Sequence, residues 1–112
     1  MNEMKYFCKN EEREGSCYIE FRRGDLCSEV HWPDSSIYIC DEMMGKIGLT
    51  DAVREVIPTC DPYGPPVFIS REEWDSIKQN PKGKESQIAI DEISSWINSN
   101  FQACDFFVIL CI

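Results

Sequence analysis

The sequence predicts an α+β fold, a largely antiparallel sheet of about five to six strands with about two to three helices packed on it. Three observations carry that prediction. Up to Cys40 the chain runs in short apolar/polar alternations broken by turn residues, the pattern of strands joined by hairpins. From Thr50 onward apolar residues recur at three- and four-residue steps, the period of helices. The closing run "CDFFVILCI" follows neither period and reads as a strand buried on both faces, central in the sheet. With 43% hydrophobic and 12% aromatic content, residues 1–112 make a single domain around one core.

The elements follow in order. "MKYFC" (4–8) is a first strand, and "KNEEREGS" is a polar loop whose Gly15 and Ser16 suit a turn. "CYIEFRR" (17–23) alternates strictly, with Cys17, Ile19 and Phe21 on one face and Tyr18, Glu20 and Arg22 on the other, as in a sheet wet on one side. Gly24 and Asp25 turn the chain into "LCSEVHW", and "WPDSS" turns it again into "IYIC". Such spacing predicts antiparallel neighbours. In "TDAVREVIP" Thr50 is the N-cap, Val53, Val56 and Ile57 form one face, and Pro58 stops the helix. "CDPYGPP" is rigid turn chemistry leading into a short strand, "VFI".

In "ISREEW" Ser70 and Glu73 stand at capping-box spacing and Ile69 can staple onto Trp74. This predicts a helix from about 71 to 79 in which Glu73 caps and does not catalyse. From Glu85 to about Asn98 the residues Ala89, Ile90, Ile93, Trp96 and Ile97 make the stripe of an amphipathic helix packed on the sheet. The expected order is β-β-β-β-α-β-α-α-β.

Charge narrows the function. The net charge is −9, and it is concentrated. Residues 25 to 75 hold Asp25, Glu29, Asp34, Asp41, Glu42, Asp51, Glu55, Asp61, Glu72, Glu73 and Asp75 against Lys46, Arg54 and Arg71, a balance of −8. Such a field repels nucleic acid and anionic membranes and speeds encounter with a basic partner. No basic leader followed by an apolar run opens the chain, and the longest apolar run, 106–112, is short of the roughly 20 residues of a membrane span, so the cytoplasm is the expected location.

The stretch "HWPDSSIYICDEMM" (31–44) sets the chain's only histidine near serines, a cysteine and acids. A nucleophile needs a base in reach and a group to orient it. His31 and Cys40 end neighbouring strands and can approach, but no glycine-rich oxyanion hole or helix N-terminus adjoins Cys40, and Ser35 and Ser36 are explained by the turn. A small enzyme using Cys40 and His31 is therefore the lesser reading. The seven cysteines are an odd number, and Cys8, Cys17, Cys40 and Cys111 sit in apolar runs as buried free thiols. Cys27, His31 and Cys40 come nearest to zinc-ligand spacing but lack a second pair, and no phosphate, dinucleotide or calcium motif is present, so neither metal nor cofactor is expected.

What remains is protein binding. The candidates for contact are Trp32, Asp34, Asp41, Glu42, Met43, Met44, Asp61 and Tyr63, aromatic and methionine anchors with acids beside them. In size, acidity and lack of catalytic motif, with its −8 segment, its "PPVFISREEW" and its terminal "IAIDEISSWI" followed by a strand, the chain resembles the immunity proteins of bacterial polymorphic toxin and contact-dependent inhibition systems. The resemblance implies a cytosolic inhibitor that covers the active site, or an adjacent surface, of a cationic nuclease-type toxin, without touching nucleic acid itself. It carries over no site residue. A phage-type nucleic-acid mimic acting on a host nuclease or CRISPR complex would show the same acidity.

Overall fold

The alternating runs build a sheet and the periodic ones its cover. The computed structural model describes residues 5–9, 17–24, 35–61 and 63–111. Its strands are β1 (Phe7–Cys8), β2 (Tyr18–Arg23), β3 (Ile37–Cys40), β4 (Val67–Ser70) and β5 (Phe106–Cys111). Its helices are α1 (Asp41–Lys46), α2 (Leu49–Val56), α3 (Arg71–Gln79), α4 (Lys84–Glu92) and α5 (Ser94–Ala103). Among the described residues the strands form one five-stranded antiparallel sheet in the order β1-β3-β2-β5-β4. The α+β expectation holds. The strand expected in "LCSEVHW" lies outside the described residues.

The helices outnumber the expectation for two reasons. "DEMMGK" forms α1, which the sequence reading left without an element. The stripe from Glu85 is two helices, because Ile93 takes φ −105° and ψ 7° between α4 and α5. There the Ser94 hydroxyl donates to Ile90 C=O at 3.1 Å, a local bond that competes with the regular ladder and bends helices. α2 is capped two residues earlier than expected. Gly48, at φ 85°, precedes Leu49 and accepts from Ala52 N–H at 3.0 Å, so Thr50 lies inside the helix. α3 starts and ends where predicted, with Glu73 N–H donated to Ser70 Oγ at 3.2 Å and Ser70 N–H to Glu73 Oε1 at 2.8 Å.

Register decides which side chains meet the helices. The pairs Phe7↔Ile39, Ile19↔Ile39, Phe21↔Ile37, Phe21↔Ile109 and Ile69↔Phe107 put these residues on one face, and all are buried in the core. Phe107 is its centre. Its ring lies 5.8 Å from Phe21, 5.6 Å from Trp74, 6.0 Å from Trp96 and 5.9 Å from Phe101, and so joins β2, α3 and α5 to β5. As expected, β5 is buried on both faces, with Val108 on the side away from Phe107, but it is the fourth of five strands and β2 is the central one.

That second face corrects the expectation of a wet side. Glu20 is fully buried and Arg22 nearly so. Arg22 Nε and Nη2 fork onto the two Glu20 oxygens at 2.8 and 3.1 Å, and the Ser36 hydroxyl adds a bond of 2.6 Å. Charged residues at outward positions of a strand read as solvated, but here each satisfies the other's polar atoms in the interior.

Buried polar groups also fix the helices to the strands. Asn100 accepts from Gly24 N–H and donates to Phe106 C=O, both at 2.9 Å, tying α5 to the ends of β2 and β5. Gly24 is required there, since a Cβ would stand 2.2 Å from Phe106 O. Glu92, at the end of α4, accepts N–H bonds from Lys5, Tyr6 and Phe7 at 2.9 to 3.0 Å and so holds β1 in place.

The cysteines depart from expectation too. Cys8, Cys17, Cys40, Cys60 and Cys104 are free thiols, but Cys17 is exposed, at φ 72° just before β2, and Cys8 and Cys40 are half-buried. Cys60, in the turn region, is the buried one.

Two predictions follow from this packing. Phe107→Ala removes a ring shared by four others and is expected to lower stability by about 3–5 kcal/mol in urea unfolding; a loss below about 1 kcal/mol would mean the cluster closes around the gap. Burial pushes the Cys60 thiol above its ordinary range, against the opposing pull of Arg54, with Asp61 adding to the rise. Its neutral form thus favours the fold at lower pH, and that contribution fades as pH rises through the raised value. Of the thiols Cys8, Cys17, Cys40, Cys60 and Cys104, iodoacetamide is expected to label Cys17 first and Cys60 last, and labelling of Cys60 ahead of Cys17 would contradict this packing.

Candidate functional site

The strongest concentration of accessible chemistry surrounds the segment from Ile57 to Phe68. Among the described residues only two large hydrophobic side chains are exposed, Tyr63 at 65% and Phe68 at 53%, and both belong to it. A cleft of about 560 Å³ opens on one side, lined by Cys40, Asp41, Glu42, Met43, Gly45, Lys46 and Tyr63. A second, of about 360 Å³, lies along β4 and is lined by Ile57, Thr59, Asp61, Pro65, Pro66, Val67, Phe68 and Glu73.

Local chemistry positions these groups. Asp61 accepts Tyr63 N–H at its Oδ1 and Gly64 N–H at its carbonyl, 3.0 and 2.9 Å, closing a turn that turns the tyrosine outward. The Tyr63 hydroxyl then donates to Asp41 Oδ2 at 2.9 Å, which joins the turn to the start of α1. Asp41 Oδ1 accepts from Glu42 N–H at 2.7 Å, and the Asp41 N–H is itself given to Cys17 C=O at 3.1 Å. The carboxylate is therefore held by two elements, and acids in a first helical turn are favoured by the helix dipole.

Of the residues that the sequence singled out, Asp41, Glu42, Met43 and Tyr63 come together in the first cleft and Asp61 lies in the second. Met44 is a correction: it faces inward from α1 and is fully buried in the core, one helical step from its half-exposed neighbour. Trp32 and Asp34, like His31 and Cys27, lie outside the described residues. Phe68, Pro65 and Pro66 were missed; an apolar residue between valine and isoleucine reads as core, and only the register of β4 turns Phe68 to the outside.

The wider acidic segment divides by pairing. Glu55 bonds Lys82 at 3.1 Å and Asp75 bonds Lys78 at 3.3 Å, whereas Asp41, Glu42, Asp61 and Glu73 form no ion pair with any described residue. Lys46 is the one base lining either cleft. A third cleft, between α3 and α5, mixes Arg71 and Lys78 with Asp75 and has no net acidity.

Against expectation a helix start does adjoin Cys40, which is the residue before α1, and its thiol lies 3.8 Å from Asp41 Oδ1 at the cleft wall. Among the described residues no three His, Cys, Asp or Glu side chains gather as metal ligands, and no helix is long and apolar enough to cross a membrane. No protein-family model, curated protein or solved structure matches the chain.

The turn's anchor is testable by itself. Tyr63→Phe removes the bond to Asp41 and is expected to change global stability by less than about 1 kcal/mol while speeding hydrogen exchange at the Gly64 amide. Unchanged Gly64 exchange would show that Asp61 alone holds the turn.

Proposed function

We propose that the chain is an acidic binding protein that neutralises a cationic, nuclease-type protein by covering its active site or an adjacent surface. One observation carries this reading: among the described residues the two exposed large apolar side chains, Tyr63 and Phe68, each line a cleft, and the carboxylates of those clefts, Asp41, Glu42, Asp61 and Glu73, have no described ion-pair partner. Interfaces are anchored by aromatic and methionine side chains with charge at the rim, and Tyr63, Phe68 and Met43 among those acids meet that description.

A surface that keeps acids unpaired attracts a partner whose groove is built for phosphates. Association is then steered by opposite charge and opposed by salt, while release is governed by the apolar anchors. The same field disfavours direct contact with nucleic acid. The resemblance to immunity proteins agrees with this role and with a cytoplasmic setting.

The test starts with the tagged protein in lysate of its own organism at low and high salt. A stoichiometric basic protein, whose nuclease activity is lost on binding, is the expected result. Asp41→Lys/Glu42→Lys should then lower affinity by about tenfold or more, mainly through the on-rate, and flatten its salt dependence. An unchanged affinity would place the contact elsewhere, and recovery of no basic protein would overturn the reading.

A further inference from the structure

Among the described residues the sheet has two outer strands, β1 and β4. At the start of β1 the N–H groups of Lys5, Tyr6 and Phe7 are all taken by Glu92. Along β4, the direction of each peptide group follows from its neighbours. Ser70 N–H is given to Glu73, so Ser70 faces away from β5. Its cross-strand partner agrees: Phe106 C=O turns the other way, toward Gly24 and the Asn100 amide beyond the end of β2. Alternation then turns Val67 and Ile69 to β5 and leaves the N–H and C=O of Phe68 pointing outward.

Among the described residues no side chain or loop bonds the Phe68 backbone, and its ring is half exposed. Two residues earlier Pro66 has an outward carbonyl and, being proline, no N–H. The open edge is therefore a short series of carbonyl, N–H and carbonyl, room for about three residues of an added strand.

The cleft beside this edge contains Asp61 and Glu73 and no basic side chain. Cross-strand neighbours share a face, so a residue set opposite Phe68 lies beside its ring, and the residues on either side of it point to the helix side, where Glu73 stands on α3. We infer that β4 accepts a short added strand from a basic protein, of the pattern basic, apolar, basic. Its central backbone bonds Phe68 N–H and C=O, its apolar side chain covers the Phe68 ring, and its cations meet Asp61 and Glu73. A second copy of this chain would set those carboxylates against their own kind, so charge selects the basic strand over self-pairing. The inference rests on the proposed contact with a basic protein and adds which backbone groups hold it.

The probe is a short capped peptide alternating lysine and valine. In the free protein the Phe68 amide should exchange with solvent fast while Ile69 is protected, and saturating peptide should slow Phe68 exchange by about tenfold or more. Replacing lysine by glutamate, or N-methylating the peptide's central residue, should weaken binding by about tenfold or more. Phe68→Pro removes only an outward N–H from the ladder and should fold but lose the peptide, while Phe68→Ala, which keeps that N–H, should retain measurable binding. Binding that leaves Phe68 exchange unchanged, or that survives N-methylation or Phe68→Pro, overturns the inference. So does protection of Phe68 that grows with protein concentration alone, the sign of a second copy. Recovery of no basic protein from lysate overturns the proposed function and leaves the peptide result to decide this edge by itself.

Discussion

Phe107 is the side chain on which the architecture depends. It lies on an inner strand whose pleat turns its ring to the helix face, where Phe21, Trp74, Trp96 and Phe101 surround it. Rings from one strand and two helices can share a single centre only if α3 and α5 lie on the same side of the sheet. β4, which leads directly into α3, lies at the outer side of β5 among the described residues.

An outer strand is a liability, because unpaired peptide groups recruit other strands. The two ends of β4 limit that liability. Pro66 removes a donor at one end, and the capping box consumes the Ser70 N–H at the other, so a device that starts a helix also shortens an edge. At β1 a single carboxylate, Glu92, does the same for three donors. Phe68 is what these devices leave uncovered.

How much was legible follows from the range of the interactions concerned. The capping box at Ser70 and Glu73 is local, and it fixed α3 to the residue; the unbroken apolar run fixed β5 as an inner strand. Glu20 and Arg22 were read as wet because strand alternation says which face a side chain takes and not what covers that face. The break at Ile93 was hidden for a similar reason, since isoleucine and serine suit the stripe on either side of it. At the candidate site, Asp41, Glu42, Met43 and Tyr63 were legible as residue types, but their meeting in one cleft depends on a bond between residues 22 apart in the chain, Tyr63 to Asp41. Met44 was expected at the surface and is buried, and Phe68 was not singled out and is exposed, each set by a one-residue phase that only a neighbouring element fixes.

The placement of acids repeats this contrast between closed and open groups. Where the chain uses a carboxylate structurally, it supplies the matching donor: Arg22 and Ser36 for Glu20, three backbone N–H groups for Glu92, lysines for Glu55 and Asp75. Asp41, Asp61 and Glu73 also accept backbone N–H bonds, which orient them, and have no ion-pair partner among the described residues. Orientation without neutralisation is costly for a carboxylate with no further use, because fixed like charges around one surface repel each other. A cation brought by another molecule relieves that repulsion without any rearrangement, since the hydrogen bonds already fix the carboxylates in place. The same three bonds that shape the turn, the helix start and the cap therefore also prepare the surface on which Tyr63 and Phe68 stand.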